Sequence, residues 1–168
     1  LNVSTIRYEG IVRRIGVCCF ICSLPYLPTA DRAQILTFLG ILIGYWFLLT
    51  QIPVPGAEAD PLSIAKNWVA YIDSQIFSSG HLFNKTYDPE GFLSTIPAIA
   101  TTISGLLTGH FLLTPISKQK KSAILIAMGL LFLLLAWIWS YNFPINKNLW
   151  TSTFVLWSSG FSLIVFGL

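Results

Sequence analysis

Asp88-Pro89-Glu90-Gly91 is followed by Phe92 to Ser117, a run of 26 residues without Asp, Glu, Lys or Arg. The tetrapeptide closes a polar stretch, and the run after it reads as a long apolar helix. Asp88 is suited to cap that helix, because its carboxylate can accept the unpaired N–H groups of a first turn. Pro89 suits the first helical position, where its missing N–H costs nothing. Glu90 places negative charge at the positive end of the helix dipole. A hydrocarbon core of about 30 Å takes roughly 20 helical residues to cross, so the run is long enough to span a bilayer.

Composition says the same of the whole chain. Of 168 residues, 54% are hydrophobic and 10% charged, against about 25% charged in a soluble domain. So little charge cannot cover a water-facing surface, and the chain reads as an integral, multi-pass membrane protein. The net charge of +3 is ordinary for that class and gives no argument for nucleic acid. Residue 1 is Leu and the uncharged run from Asn148 reaches the last residue, so a segment of a longer polypeptide is expected. Cys18, Cys19 and Cys22 share one apolar run with no His or acid beside them, which reads as helix packing rather than a disulfide or metal set.

The expected architecture is all-α: a polytopic transmembrane helix bundle in a single domain over 1–168, with about five spanning helices and one interfacial amphipathic helix. The spans are expected over 14–30, 33–52, 92–114, 122–141 and 149–168. The first is short and interrupted by Pro25 and Pro28. A polar loop over 53–91 holds the amphipathic helix, in which Ile64, Trp68, Tyr71, Ile72 and Ile76 recur at helical spacing while Asp73 lies elsewhere around the turn. Gly40 with Gly44, and Ala98, Thr101, Gly105 and Gly109, make small-residue stripes suited to close helix contact. Trp137, Trp139 and Tyr141 mark a membrane interface. The Lys118 to Lys121 cluster favours a cytoplasmic loop, whereas the total of Lys and Arg favours the reverse; the cluster is followed here.

No nucleophile elbow, metal-ligand spacing or phosphate-binding glycine loop is present. His110 reads as a helix-contact residue and His81 as a solvated one. Helix parity brings two polar stretches to the same side of the membrane, His81 to Gly91 and Pro144 to Trp150. Their Asn side chains, lysine and carboxylates can recognise a polar substrate such as a sugar. A plainer reading has Asp88 and Asn148 capping helices and Trp150 anchoring the interface.

A set of motifs occurs in order: Arg7-x-x-Gly10-x-x-x-Arg14-Ile15, Ala70-Tyr71-Ile72-Asp73, Gly80-His81-Leu82, Asp88-Pro89-Glu90-Gly91, Leu93-Ser94-Thr95-Ile96-Pro97-Ala98-Ile99 and Asn146-Lys147-Asn148-Leu149-Trp150-Thr151. The set resembles the heparan-α-glucosaminide N-acetyltransferase family and its bacterial relatives, multispan membrane acyltransferases, over nearly the whole chain. The resemblance implies acetyl transfer from acetyl-CoA to the amino group of a glucosamine-type sugar. It implies a middle fragment of a longer bundle, whose catalytic histidine lies in an earlier segment, so neither His81 nor His110 takes that role and the fragment alone is expected to be inactive. Where the family has Pro-Gly-Val-Leu-Gln-Arg, this chain has Glu9-Gly10-Ile11-Val12-Arg13-Arg14, which leaves Arg14 as the better match.

The substrate- and cofactor-binding candidates are Arg14, Asp88, Glu90, Asn146, Lys147, Asn148 and Trp150. Acetyl-CoA is the expected co-substrate, with no metal. The expected partners are an amino-sugar or oligosaccharide acceptor, membrane lipid and a second copy of the chain as a homodimer, in a bacterial inner membrane. The rival reading is a sugar or small-solute transporter bundle, in which the same loops select a solute without chemistry.

Overall fold

The computed structural model describes residues 10–26, 31–55, 62–63, 66–76 and 88–168. Within them the chain is all helix: α1 (Ile11–Tyr26), α2 (Asp31–Gln51), α3 (Trp68–Ile76), α4 (Phe92–Leu113), α5 (Lys118–Ser140) and α6 (Ser152–Gly167). Three of these, α2, α4 and α5, are long and apolar enough to cross a membrane. Helices α1 and α6 have 16 residues each, about 24 Å at ~1.5 Å per residue, which is less than a hydrocarbon core. Their described extents are shorter than the expected spans 14–30 and 149–168, and 27–30 lie outside the described residues.

Helix α4 is the hub, with α1, α2, α3 and α6 all packed on it. The most intimate pair is α5 with α6. Here the glycines decide the spacing. A side chain at Gly129 would meet the Gly160 carbonyl at 2.7 Å, and one at Gly160 would meet the Gly129 carbonyl at 2.9 Å. The expected stripes are elsewhere: Gly40, Gly44, Gly105 and Gly109 each face open space within 4 Å. A small-residue stripe shows that close approach is permitted, not which neighbour uses it.

Alternation of the helices sorts the chain into two rims. One holds the start of α1, the end of α2, α3, residues 88–94 and the turn between α5 and α6. It is drawn together by Tyr45 Oη donating to the Leu149 carbonyl at 2.6 Å and Trp68 Nε1 donating to the Ile52 carbonyl at 2.8 Å. A buried apolar cluster of Tyr45, Leu49, Val69, Leu93, Phe143 and Leu149 lies beneath it. The opposite rim holds Asp31, His110, Lys118, Lys120 and Lys121. There His110 Nδ1 stands 2.8 Å from Asp31 Oδ1, joining α4 to the first residue of α2.

Several boundaries differ from expectation. Lys118, Lys120 and Lys121 fall inside α5 rather than in the loop before it, since Ser117 already has the extended backbone of a capping position. Lys121 then reaches back to donate to the Leu112 carbonyl at 2.6 Å, serving a free acceptor at the C-terminus of α4. Helix α3 begins after Asn67, whose Oδ1 accepts from Ala70 N at 2.9 Å. Its buried face is Val69, Ala70 and Asp73, whereas the expected apolar face included Ile76, which is exposed. An acid that pairs with a helix terminus can sit inward, and hydropathy does not register that.

Candidate functional site

Arg14 sits one turn into α1, where its N–H bonds the Gly10 carbonyl at 3.0 Å. Its side chain is buried against α4. Nη2 donates to the Pro89 carbonyl at 2.7 Å and also to Ser94 Oγ. The guanidinium lies over the Trp150 ring, 4.8 Å from carbon to centroid, a cation–π contact of the kind strengthened by desolvation. One arginine thus ties together α1, the turn before α4 and the turn before α6.

Each partner is held in turn. Residues 88–91 form a tight turn rather than a helix start. Asp88 Oδ1 accepts from Glu90 N at 3.0 Å, and the Asp88 carbonyl accepts from Gly91 N at 2.9 Å. The expected cap at Asp88 is therefore corrected: Gly91 is the capping residue and offers no side chain. The carboxylate at the start of α4 comes instead from Asp73 of α3, which accepts from Phe92 N at 3.0 Å. It fills the space over Gly91 so closely that any Cβ there would overlap it. The negative charge favoured at this helix end is supplied from a distant segment, so Asp88 is released to shape the turn.

On the other side, Trp150 adopts φ 52, the left-handed region that a bulky residue rarely enters. It is fixed by its ring N–H, which donates to Thr101 Oγ1 of α4 at 3.2 Å, and by an edge contact with Phe154 at 5.0 Å. The turn behind it is organised by Asn146, whose Oδ1 accepts from Asn148 N at 2.9 Å and Leu149 N at 3.4 Å. Thr151, not Asn148, caps α6, accepting from Phe154 N. Lys147 and Asn148 lie exposed at the tip.

Of the seven candidates, the structure brings Arg14, Asp88, Glu90 and Trp150 into one cluster. Asn146 stands behind it as a turn-former, and Lys147 and Asn148 form its exposed edge. Sequence reasoning missed Ser94, Thr101 and Asp73 as members. Ser94 and Asp73 both lay within the quoted motifs, but their inward direction depends on helix phase. Arg7, His81 and the loop to Tyr87 lie outside the described residues. Among the described residues no group of three His, Cys, Asp or Glu side chains is placed to hold a metal.

Comparison with known proteins adds to this geometry. The chain is similar to the heparan-alpha-glucosaminide N-acetyltransferase of Homo sapiens, 25% identical over 220 aligned residues that cover 98% of this chain and 33% of the relative. It is similar to the protein of the same name from Mus musculus, 26% identical over 219 residues with the same coverage of 98% and 33%. No family model matches the chain. The chain spans about a third of the length of these curated relatives. Its three span-length helices suit a membrane protein.

Proposed function

We propose that this chain is part of a membrane acyltransferase that moves an acetyl group from acetyl-CoA to the amino group of a glucosamine-type sugar. The observation that carries the reading is Arg14, which joins the two motif-bearing turns on one rim. Segments that share a motif set with a transferase family and are far apart in sequence have a common reason to be kept if they form one site.

The reaction has three requirements. The sugar ammonium must lose a proton before its nitrogen attacks the thioester carbonyl, which needs a general base. The carbonyl oxygen gains charge and needs donors until the CoA sulfur departs. The CoA phosphates need cations. Burial redistributes the candidates among these roles. Arg14 is enclosed and already donating, so it positions the two turns rather than meeting phosphate. Lys147 and Asn148 are exposed and suit the phosphates and the developing oxyanion. Glu90, half-buried on the same rim, suits the acceptor's ammonium. Neither His81 nor His110 is assigned as the general base; the resemblance implies a histidine of an earlier segment for that role.

The test uses full-length protein in membranes, labelled acetyl-CoA and an oligosaccharide ending in glucosamine. Labelled N-acetyl product is expected, reduced at least tenfold by Lys147→Ala or Asn146→Ala. Sugar uptake without acetyl-CoA, and no acetylated product, would establish the transporter reading instead.

A further inference from the structure

Two polar side chains lie deep in the seam where α1, α2 and α4 meet. Arg14 and Gln34 are each 6% exposed. Arg14 Nε and Nη1 and both amide atoms of Gln34 are buried with no hydrogen-bond partner among the described residues. Each residue lines a half-open groove. Arg13, Arg14, Val17, Phe92 and Thr95 surround one of about 160 Å³ between α1 and α4. Cys22, Ala33, Gln34, Thr37, Ile103 and Leu106 surround one of about 110 Å³ nearer the lysine rim. Ile21 and Ile99 line both, so the two spaces adjoin. The seam exists because α1 and α2 both pack on α4 but scarcely on each other.

We propose that this seam holds ordered water, linking the Arg13–Arg14 end of the bundle to Gln34 and the opposite rim. Unpaired amide and guanidinium groups are strongly disfavoured in a low-dielectric interior, and polar residues within membrane helices commonly mark a hydrated path. A water molecule occupies roughly 30 Å³ and needs two to four polar partners. Each space has room for more than one water. The Gln34 amide offers both donors and acceptors. Thr37 Oγ1 donates to the Ala33 carbonyl at 2.9 Å and keeps its lone pairs for a water. At the other end Arg14 supplies N–H donors. The narrow part is the Ile21–Ile99 pair, where water has fewest partners. The proposal does not depend on acetyl transfer, because its readout is chemical access to the seam.

Cysteine chemistry on α1 tests it. Cys22 lines the seam, whereas Cys19 is exposed on the outer face of the same helix. The protein in its membrane is prepared with Cys22 as the sole cysteine of α1 (Cys18→Ser, Cys19→Ser) or with Cys19 alone (Cys18→Ser, Cys22→Ser). A small hydrophilic methanethiosulfonate should modify Cys22, and Gln34→Leu should slow that modification at least tenfold while leaving the reaction of Cys19 with an apolar maleimide within twofold. If Gln34→Leu does not accumulate, Thr37→Val should slow Cys22 in the same direction. Cys22 that resists the hydrophilic reagent yet reacts with an apolar maleimide would show a lipid tail in the seam and overturn the proposal. An unchanged Cys22 rate after loss of the polar partner would overturn it too.

Discussion

The Arg14 guanidinium carbon stands 4.8 Å from the centre of the Trp150 ring, and this contact joins the first helix to the turn before the last. Trp150 reaches it with a left-handed backbone, φ 52. A bulky residue in that conformation is held by its surroundings, here the Thr101 hydroxyl on one side and the cation on the other. Strain of this kind is retained where the surrounding contacts fix the geometry.

Arg14→Lys keeps the charge but loses the planar fork and the flat face that stacks on an indole. Its ammonium cannot serve Pro89, Ser94 and Trp150 together. We expect acetyl transfer by the full-length protein to fall at least tenfold, with a lower thermal midpoint in detergent. A transfer assay and a melting curve on the same preparation check both.

Gly91→Ala should destabilise the protein by about 1–3 kcal/mol, the usual range for overpacking, because the new methyl overlaps the Asp73 carboxylate. Asp73→Ala alone should cost roughly 0.5–2 kcal/mol through loss of the acceptor for Phe92 N. The double variant should be less destabilised than the sum of the two. Denaturant unfolding of all three variants measures the coupling.

The contrast between Asp73 and Asp88 shows what the sequence made legible. The run after Gly91 announces a membrane-length helix, but the acids expected at its start, Asp88 and Glu90, lie in the turn before it. The carboxylate that does reach that terminus is not legible locally, because Asp73 is brought there by tertiary packing of α3. Arg14, Asp88, Glu90 and Trp150 were all named from motifs, yet nothing local indicates that one guanidinium touches both turns. The same holds for the glycines. Gly40 and Gly44 have the conventional spacing, but the tight pair is formed by Gly129 and Gly160, one on each of two helices. Periodicity reports a face, and only the packed neighbour reports its use.

That pair gives a third prediction. Gly129→Ala and Gly160→Ala should each destabilise by about 1–3 kcal/mol, since each methyl meets a backbone carbonyl that cannot swing aside. Gly105→Ala and Gly109→Ala meet open space and should be neutral or stabilising by up to ~1 kcal/mol through helix propensity. Thermal midpoints of the four variants, compared in one detergent, separate the two classes.

Thr151→Ala should cost about 1 kcal/mol, the usual value for a lost cap. It removes the oxygen that accepts from Asn146 N at 3.0 Å and from Phe154 N at 3.4 Å. Thr151→Ser keeps that oxygen and should recover most of the loss. Equilibrium unfolding of the pair gives the difference directly.

The shared rim is tested most directly by sidedness. Single cysteines at Glu90 and Lys147, in sealed vesicles of defined orientation, are exposed to a membrane-impermeant maleimide. Both should be modified from the same side and protected from the other. Modification from opposite sides would separate the turns that Arg14 joins and leave no common site for a sugar and a thioester.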